Sequence, residues 1–231
     1  MDLWTPINIY CERLDPSFWA EPINAITNAA FLLAAAWGYG QARRNAVLDG
    51  PLMVLIGLTA IIGVGSFLFH TFAVRWAALA DVIPIGIFTL TYFYFALRRF
   101  FGFSRRQMGL SALGFAGLVI LLRLVIPGVD TEGNRLLNGS LQYAPAFITL
   151  ILVAGGLVIR RHPARYLLIS GAGLFLLSLT FRTIDPAVCD RFPLGTHFLW
   201  HSLNGVMIAL LLQGLAVAGR RSARTMSERQ L

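Results

Sequence analysis

Three histidines in this chain of 231 residues have the spacing and surroundings expected of metal ligands. His197 and His201 lie four positions apart, so on a helix both imidazoles project from one face and can share one tetrahedral metal ion. His70 ends an earlier apolar run, and the topology predicted below places all three at one membrane depth. Histidines satisfied by hydrogen bonds are the alternative for an isolated pair, but a third at the same depth favours a metal site.

Two further residues could complete a hydrolytic centre around such a metal. Three neutral nitrogen ligands leave one zinc position for water, whose pKa can fall to about 7, so attack by zinc-bound water is expected. Asp81 follows His70 across a short turn and could take a proton from that water. Ser66 lies one helical turn before His70 and could stabilise an oxyanion. A structural ion pair of Asp81 with Arg75 or Arg182 and a packing role for Ser66 stay open as alternatives.

The elements that position these residues are predicted to be membrane helices. The chain is 57% hydrophobic and only 13% charged, and its uncharged runs are long enough to cross about 30 Å of hydrocarbon. Ionisable residues inside such spans usually face a cavity, a partner or a metal. We predict an all-α, seven-transmembrane helix bundle with helices near 22–41, 51–72, 77–97, 108–126, 139–159, 165–182 and 196–218.

The whole chain, 1–231, is predicted to form a single integral membrane domain, with an N-terminal outer segment at 1–21 and a tail at 219–231. The first 21 residues are polar, acidic and aromatic, so no cleaved signal peptide is expected. Breaks between helices are predicted at helix-stopping or polar stretches, namely 49–51, 98–106, 127–128, 162–163 and 185–193.

The positive charge predicts the orientation. The net charge is +8 and comes from arginine alone, because the sequence contains no lysine. The arginines fall on alternate loops and the C-terminal tail, as the positive-inside rule expects of the cytoplasmic side: Arg43, Arg44, Arg98, Arg99, Arg105, Arg106, Arg160, Arg161, Arg165, Arg220, Arg221, Arg224 and Arg229. The opposite side receives most acids, namely Asp2, Glu12, Asp15, Glu21, Asp130, Glu132, Asp185 and Asp190. We therefore predict an extracytoplasmic N-terminus, a cytoplasmic C-terminus and a zinc site toward the outer leaflet.

The same charge distribution argues against nucleic-acid binding, because no basic stripe interleaved with aromatic residues is present. The fourth histidine, His162, lies in a predicted cytoplasmic loop and is expected to be a solvated flanking residue.

The two cysteines of the chain, Cys11 and Cys189, both fall on the predicted outer side. An oxidising compartment would allow them to pair, and a disulfide between the outer segment and the loop before the last helix is the working prediction. Two unpaired buried cysteines are the alternative, since a sequence does not show whether the two Cα atoms lie within about 7 Å.

The chemistry-bearing segments resemble those of the alkaline ceramidases and of the wider membrane hydrolase superfamily that includes adiponectin-receptor-like proteins. The matching motifs extend from the N-terminal segment to the last helix: CE at 11–12, EPINAITN at 21–28, GSFLFH at 65–70, LADVIP at 79–84 and HFLWH at 197–201.

This resemblance implies roles for individual residues. His70, His197 and His201 would bind zinc, Asp81 would act as general base and then acid, and Ser66 would stabilise the transition state. The implied substrate is a ceramide-like membrane lipid, whose amide is cleaved to a fatty acid and a sphingoid base.

One departure from the family concerns calcium. Eukaryotic alkaline ceramidases bind Ca²⁺ in the N-terminal segment, but here the corresponding positions hold Ile9, Tyr10 and Leu14, and the spacing from Glu12 to Glu21 is shorter. Calcium is therefore doubtful, although Glu12 and Glu21 are candidate ligands for a hard cation, which needs several oxygen atoms. Acidic residues that merely favour an outer or helix-start position are the alternative.

Two other functions stay open at this point. The same zinc chemistry would serve another lipid amide or an ester, and a seven-helix receptor or channel could carry a structural zinc site. A haem carrier is disfavoured, because ligands on opposite haem faces usually come from different helices. Oligomeric state is not encoded in any of these motifs.

Overall fold

A computed structural model describes residues 2–126 and 136–228, with side chains up to Arg220. Within these ranges the chain is helical and contains no strand, which confirms the all-α prediction. The helices are α1 (Pro22–Thr27), α2 (Ala29–Arg44), α3 (Gly50–Phe72), α4 (Arg75–Phe101), α5 (Arg105–Val125), a 3₁₀ segment (Leu136–Tyr143), α6 (Ala144–Ile159), α7 (Arg165–Val188) and α8 (His197–Glu228).

Six helical segments of the described residues are long and apolar enough to cross a membrane, as an integral membrane protein requires. They are Gly50–Phe72, Arg75–Phe101, Arg105–Val125, Leu136–Ile159, Arg165–Val188 and His197–Arg220. The predicted helix 22–41 is instead divided at Asn28 into α1 and α2. The Asn28 side chain donates to the Asn24 carbonyl oxygen at 2.8 Å, while its own N–H turns to Ala25. This side-chain competition for a helix acceptor breaks the regular ladder.

Two predicted helix ends are wrong. The last helix runs to residue 228 rather than ending at 218, so the predicted tail is helical over most of its length. Helix α7 passes through Pro186 to Val188, although a break was predicted at 185–193. Proline lacks the N–H that would bond the Arg182 carbonyl oxygen, but Asn138 Nδ2 donates to that oxygen at 2.9 Å. Hydropathy shows only where an apolar run ends. Helix α7 continues beyond that point because the Asn138 side chain bonds the carbonyl group that Pro186 leaves without a donor.

Helices α3 and α4 pack closely beside the chemistry-bearing residues. A Cβ atom at Gly65 would collide with the backbone carbonyl of Ala80. That carbonyl lacks its own helical N–H partner, because the residue four positions later is Pro84. The small residue and the proline together allow the two backbones to approach at this level.

The apolar core runs along the bundle from Phe31 and Trp200, next to the histidines, toward the opposite end. It is centred on fully buried leucines from α3, α6, α7 and α8, namely Leu52, Leu157, Leu168, Leu212 and Leu215. On α8, Gly205 packs against α2, where an added Cβ would lie 2.7 Å from the Ala30 side chain. This packing fixes the polar first turns of α8 against α1 and α3.

At one end of the bundle, arginines bond neighbouring elements. The Arg99 guanidinium pairs with Asp49 in the connection between α2 and α3, and it donates to the Leu215 carbonyl of α8. Arg160, after α6, donates to the Phe101 carbonyl at the end of α4. Asp130, Glu132 and Arg229 lie outside the described residues, as do the side chains of Arg221 and Arg224.

His162 lies at this arginine end but is not solvated, contrary to the prediction. It is buried, its Nδ1 accepts the Ala164 N–H at 3.1 Å, and its ring meets the Phe100 ring edge-on. It therefore closes the turn between α6 and α7 as a packed residue.

Candidate metal centre

The three histidines converge at the other end of the bundle. The last turn of α3 supplies His70, and the first turns of α8 supply His197 and His201. All three are buried, and one nitrogen from each lies within 4.8 Å of the others. The ring centroids are 4.6 to 5.1 Å apart. The structure thus brings together residues separated by more than a hundred positions in the sequence.

The nitrogens that face one another fit a metal ion. Nε2 of His70 and Nδ1 of His197 are buried and have no hydrogen-bond partner within the described part of the chain. Buried polar atoms are seldom left unpaired in folded proteins. A set of three imidazole nitrogens is the donor set of many catalytic zinc sites, and it leaves one coordination position free.

The second nitrogens of two histidines are fixed by protein partners. Nδ1 of His70 lies 2.6 Å from the Glu21 carboxylate, and Nδ1 of His201 lies 3.1 Å from the Thr27 hydroxyl. Partners of this kind select the tautomer and orient the ring of a metal-bound histidine. Both partners belong to the N-terminal part of the chain, which packs over the ends of α3 and α8.

His197 is held by stacking and by its backbone. Its ring stacks on Tyr10 with centroids 3.6 Å apart, and Trp200 lies nearly parallel at 6.5 Å. Its N–H donates to Asp185 at 2.9 Å. Burial raises the pKa of Tyr10 above its ordinary value, so the phenol stays neutral beside the imidazole.

Asp185 ties three segments together beneath this histidine. Its Oδ1 accepts the N–H groups of Thr196 and His197, and its Oδ2 accepts the Cys11 N–H at 3.2 Å. A disulfide joins Cys11 to Cys189, with the Cα atoms 5.1 Å apart. The outer segment is therefore anchored to the end of α7 and to the start of α8.

Asp81 and Ser66 lie side by side on α4 and α3. Ser66 is buried, and the backbone of Gly65 lies against that of Ala80 and Asp81, so the Ser66 side chain and the Asp81 carboxyl group are neighbours. Oδ1 of Asp81 is buried and has no hydrogen-bond partner among the described residues. Within the same residues neither candidate arginine forms an ion pair with it: Arg75 donates to the Asp2 carbonyl, and Arg182 to the Asn138 carbonyl and the Ser140 hydroxyl.

The candidate calcium ligands make protein contacts. Glu12 accepts the N–H groups of Ile23 and Asn24 at 2.7 and 2.8 Å, so it caps the start of α1. Burial raises the pKa of Glu12, against the opposing effect of those two N–H groups. Burial also acts to raise the pKa of Glu21, but the interactions with His70 and Arg13 outweigh it, and the pKa lies below its usual value.

Sequence reasoning did not anticipate several of these supporting residues. Thr27 lies in the EPINAITN motif at 21–28, but no contact with a histidine was predicted for it, and Asp185 was predicted only to be an acid on the outer side. Each is a polar residue at or within an apolar run, a signal that could have marked both. Arg13 and Tyr10 lie in the outer segment, where nothing in the local pattern points to a histidine elsewhere in the chain.

An apolar cavity lies between α4, α6 and α8; the histidines do not line it, but two of its lining residues, Phe31 and Trp200, contact histidine rings. Trp200 and Asn204 line it on α8, and Phe31, whose ring meets His201 edge-on at 6.4 Å, lines it on α2. Deeper in the bundle the lining is almost entirely apolar, with Phe88, Tyr92, Leu150, Val153, Met207 and Leu211.

Comparison with models of protein families gives a match. The model of the family described as Ceramidase matches residues 10–229, which is nearly the whole chain. A search of the curated proteins finds none that matches.

Proposed function

The chain belongs to the ceramidase family, and from this premise we propose that it is a zinc-dependent membrane hydrolase that cleaves the amide bond of a ceramide-like lipid to a fatty acid and a sphingoid base. Family membership implies a hydrolase that acts on an amide. The observation that carries the finer proposal is the convergence of three buried histidines beside Asp81 and Ser66, next to an apolar cavity.

His70, His197 and His201 would hold the zinc ion. When bound, zinc supplies a Lewis acid and lowers the pKa of its water to about 7. Glu21 and Thr27 keep the rings of His70 and His201 oriented, and Tyr10 covers the face of His197. The ligand set is therefore assembled from α3 and α8 and stabilised by the outer segment.

Asp81 would transfer protons, and Ser66 would stabilise the negative charge that develops on the carbonyl oxygen. The Asp81 carboxylate takes a proton from the attacking water as the carbon–oxygen bond forms at the amide carbonyl. The protonated carboxyl then gives that proton to the amide nitrogen, so that the carbon–nitrogen bond breaks and a neutral amine leaves. The Ser66 hydroxyl donates to the carbonyl oxygen as negative charge develops on it.

The apolar cavity would accept a hydrocarbon chain of the substrate. Its lining between α4, α6 and α8 offers few polar groups, so a hydrated head group would be excluded from it. An acyl chain would be stabilised there, because its apolar surface is removed from water. Because Phe31 and Trp200 lie near the histidines, the scissile amide at the end of such a chain would be presented to the metal centre.

We further propose seven membrane spans and the predicted orientation. Helices α1 and α2 run from residue 22 to 44 with one interruption, about 34 Å at 1.5 Å per residue, which is enough for a seventh crossing. The arginine contacts at one end of the bundle and the disulfide at the other support a cytoplasmic C-terminus and an extracytoplasmic N-terminus.

The test is hydrolysis of a panel of N-acyl lipids and lipid esters by the purified protein in detergent, with zinc content measured on the same sample. Asp81→Asn and His201→Ala are assayed alongside. The proposal is supported if the native chain cleaves ceramide and contains about one zinc per chain, and if neither variant cleaves it. Asp81→Asn should retain zinc, whereas His201→Ala should lose it. Zinc without turnover of any lipid would instead favour a receptor with a structural metal site.

A further inference from the structure

The N-terminal segment contains a buried cation that has no place in the chemistry described above. The Arg13 side chain is only 4% exposed, and arginine is seldom buried without a full set of acceptors. Its Nε donates to Glu21 Oε1 at 2.6 Å, which makes a buried ion pair. The other oxygen of Glu21 contacts His70 Nδ1 at 2.6 Å. One carboxylate thus links the guanidinium to a candidate zinc ligand.

The remaining donors of Arg13 face backbone carbonyl groups. Nη2 lies 3.0 Å from the His70 carbonyl oxygen and 3.4 Å from that of Thr71. Nη1 lies 3.2 and 3.3 Å from the carbonyl oxygens of Asp15 and Ser17. With the carboxylate of Glu21, five oxygen atoms from three parts of the chain surround one positive charge.

The charge of this group suits its position. His70 and Thr71 belong to the last turn of α3, where free carbonyl groups and the helix dipole favour a cation. Carbonyl and carboxylate oxygens are also the ligands that hard metal ions such as Ca²⁺ prefer. A cation at this point neutralises Glu21 and ties the outer segment to the helix end that carries His70.

We infer that Arg13 is a positioning residue that serves as the resident cation of this oxygen-lined site and holds Glu21 and the end of α3 so that His70 presents Nε2 to the zinc ion. The inference rests on the proposed zinc site but not on the proposed lipid substrate. It predicts that zinc binding by the native chain is independent of calcium, because the guanidinium takes the place of a hard cation.

The test measures zinc affinity of the full-length protein in detergent by competition with a chelator of known affinity, without any lipid substrate. Arg13→Ala should bind zinc about 10- to 100-fold more weakly, as expected when a group that orients a ligand is lost. Arg75→Ala is the matched control, since Arg75 also contacts the outer segment but, among the described residues, touches no partner of a histidine, and its zinc affinity should equal that of the native chain.

Rescue distinguishes a cation role from general destabilisation. Millimolar Ca²⁺ or guanidinium ion should restore part of the zinc affinity of Arg13→Ala and leave the native chain unchanged. Glu21→Gln should weaken zinc binding by itself. Arg13→Ala should then lower the zinc affinity of the Glu21→Gln variant by a smaller factor than it lowers the affinity of the native chain. Additive losses, or a loss that neither cation restores, would overturn the inference.

A conservative variant covers the case in which Arg13→Ala does not fold. Arg13→Lys keeps the charge and the packing of the stem but cannot reproduce the planar set of donors, so its zinc affinity should fall several-fold. Arg13→Met keeps the length of the stem without the charge, and a folded Arg13→Lys that binds zinc as weakly as Arg13→Met would sink the inference. If the native chain binds zinc and the Arg13 variants bind it equally well, this inference alone fails; if the native chain binds no zinc, the proposed function fails as well.

Discussion

Each candidate zinc ligand is held by a different kind of contact. His70 is held by a carboxylate, His201 by a hydroxyl and His197 by ring stacking. The hydroxyl of Thr27 also donates to the carbonyl oxygens of Ile23 and Asn24, so it can accept the Nδ1–H of His201. That arrangement would leave Nε2 of His201 as the ligand atom.

We expect Thr27→Val to weaken zinc binding about 10- to 100-fold, because valine keeps the shape of threonine but cannot hydrogen-bond His201. The measurement is zinc affinity by chelator competition on purified protein. Thr180→Val is the control, since Thr180 is exposed on α7 and its hydroxyl donates to the Leu176 carbonyl oxygen of its own helix. Equal affinities for the two variants would show that Thr27 does not orient the ligand.

At the scale of helices, the separation of α3 and α4 decides whether Ser66 can reach Asp81. Gly65 precedes Ser66, and its lack of a side chain allows the Ala80 carbonyl to lie against α3. Asp81 follows Ala80 directly, so the same close approach brings the two proposed catalytic groups together.

Gly65→Ala should therefore lower both stability and turnover. The added methyl group would overlap the Ala80 backbone, which cannot move without separating the helices, and overpacking of this kind costs about 1–3 kcal/mol. Gly57→Ala on the same helix meets no atom of the described residues within 4 Å and is the matched control. The thermal unfolding midpoint and kcat of both variants are compared with those of the native chain. A fully active Gly65→Ala would contradict the proposed geometry.

At the scale of the whole molecule, the two ends of the bundle have different chemistry. Arginine side chains bond neighbouring elements at one end, and the three histidines of the candidate metal centre lie at the other end, beneath the outer segment. The outer segment pairs with the turn between α3 and α4, where the Ile7 N–H donates to Ala73 at 2.7 Å. Together with the disulfide, this contact makes the segment a cover over the histidines.

The disulfide joins residues 178 positions apart, so its loss should release this cover. We expect the double variant Cys11→Ser with Cys189→Ser to be about 2–5 kcal/mol less stable, because the unfolded chain is no longer cross-linked. Thermal unfolding in detergent measures the change. A reductant that does not bind metal should lower the midpoint of the native chain and leave the double variant unaffected; equal midpoints before reduction would contradict the expectation.

The proposed orientation predicts opposite labelling of two exposed leucines. Leu14 lies in the outer segment and Leu48 between α2 and α3 at the arginine end, with 83% and 52% of their surfaces exposed. In intact cells a membrane-impermeant thiol reagent should label Leu14→Cys but not Leu48→Cys, and permeabilisation should expose the second. The native cysteines are paired and do not compete. Labelling of Leu48→Cys alone in intact cells would reverse the orientation.

Features that depend on neighbours along the chain were predictable from the sequence. Apolar run lengths indicate membrane helices, and the spacing of His197 and His201 places both on one helix face. The motifs around Ser66, His70 and Asp81 indicated the family, which the match over residues 10–229 confirms. These signals are local because each is set by the period and length of a helix.

Only the tertiary structure decided what surrounds those residues. Glu21 and His70 are 49 positions apart, and Thr27 and His201 are 174 apart, so no local pattern relates either pair. The same holds for Arg13, whose acceptors come from three segments. Such contacts depend on how the helices pack and how the outer segment folds over them, and the free energy of that packing is spread over many residues rather than written in any one motif.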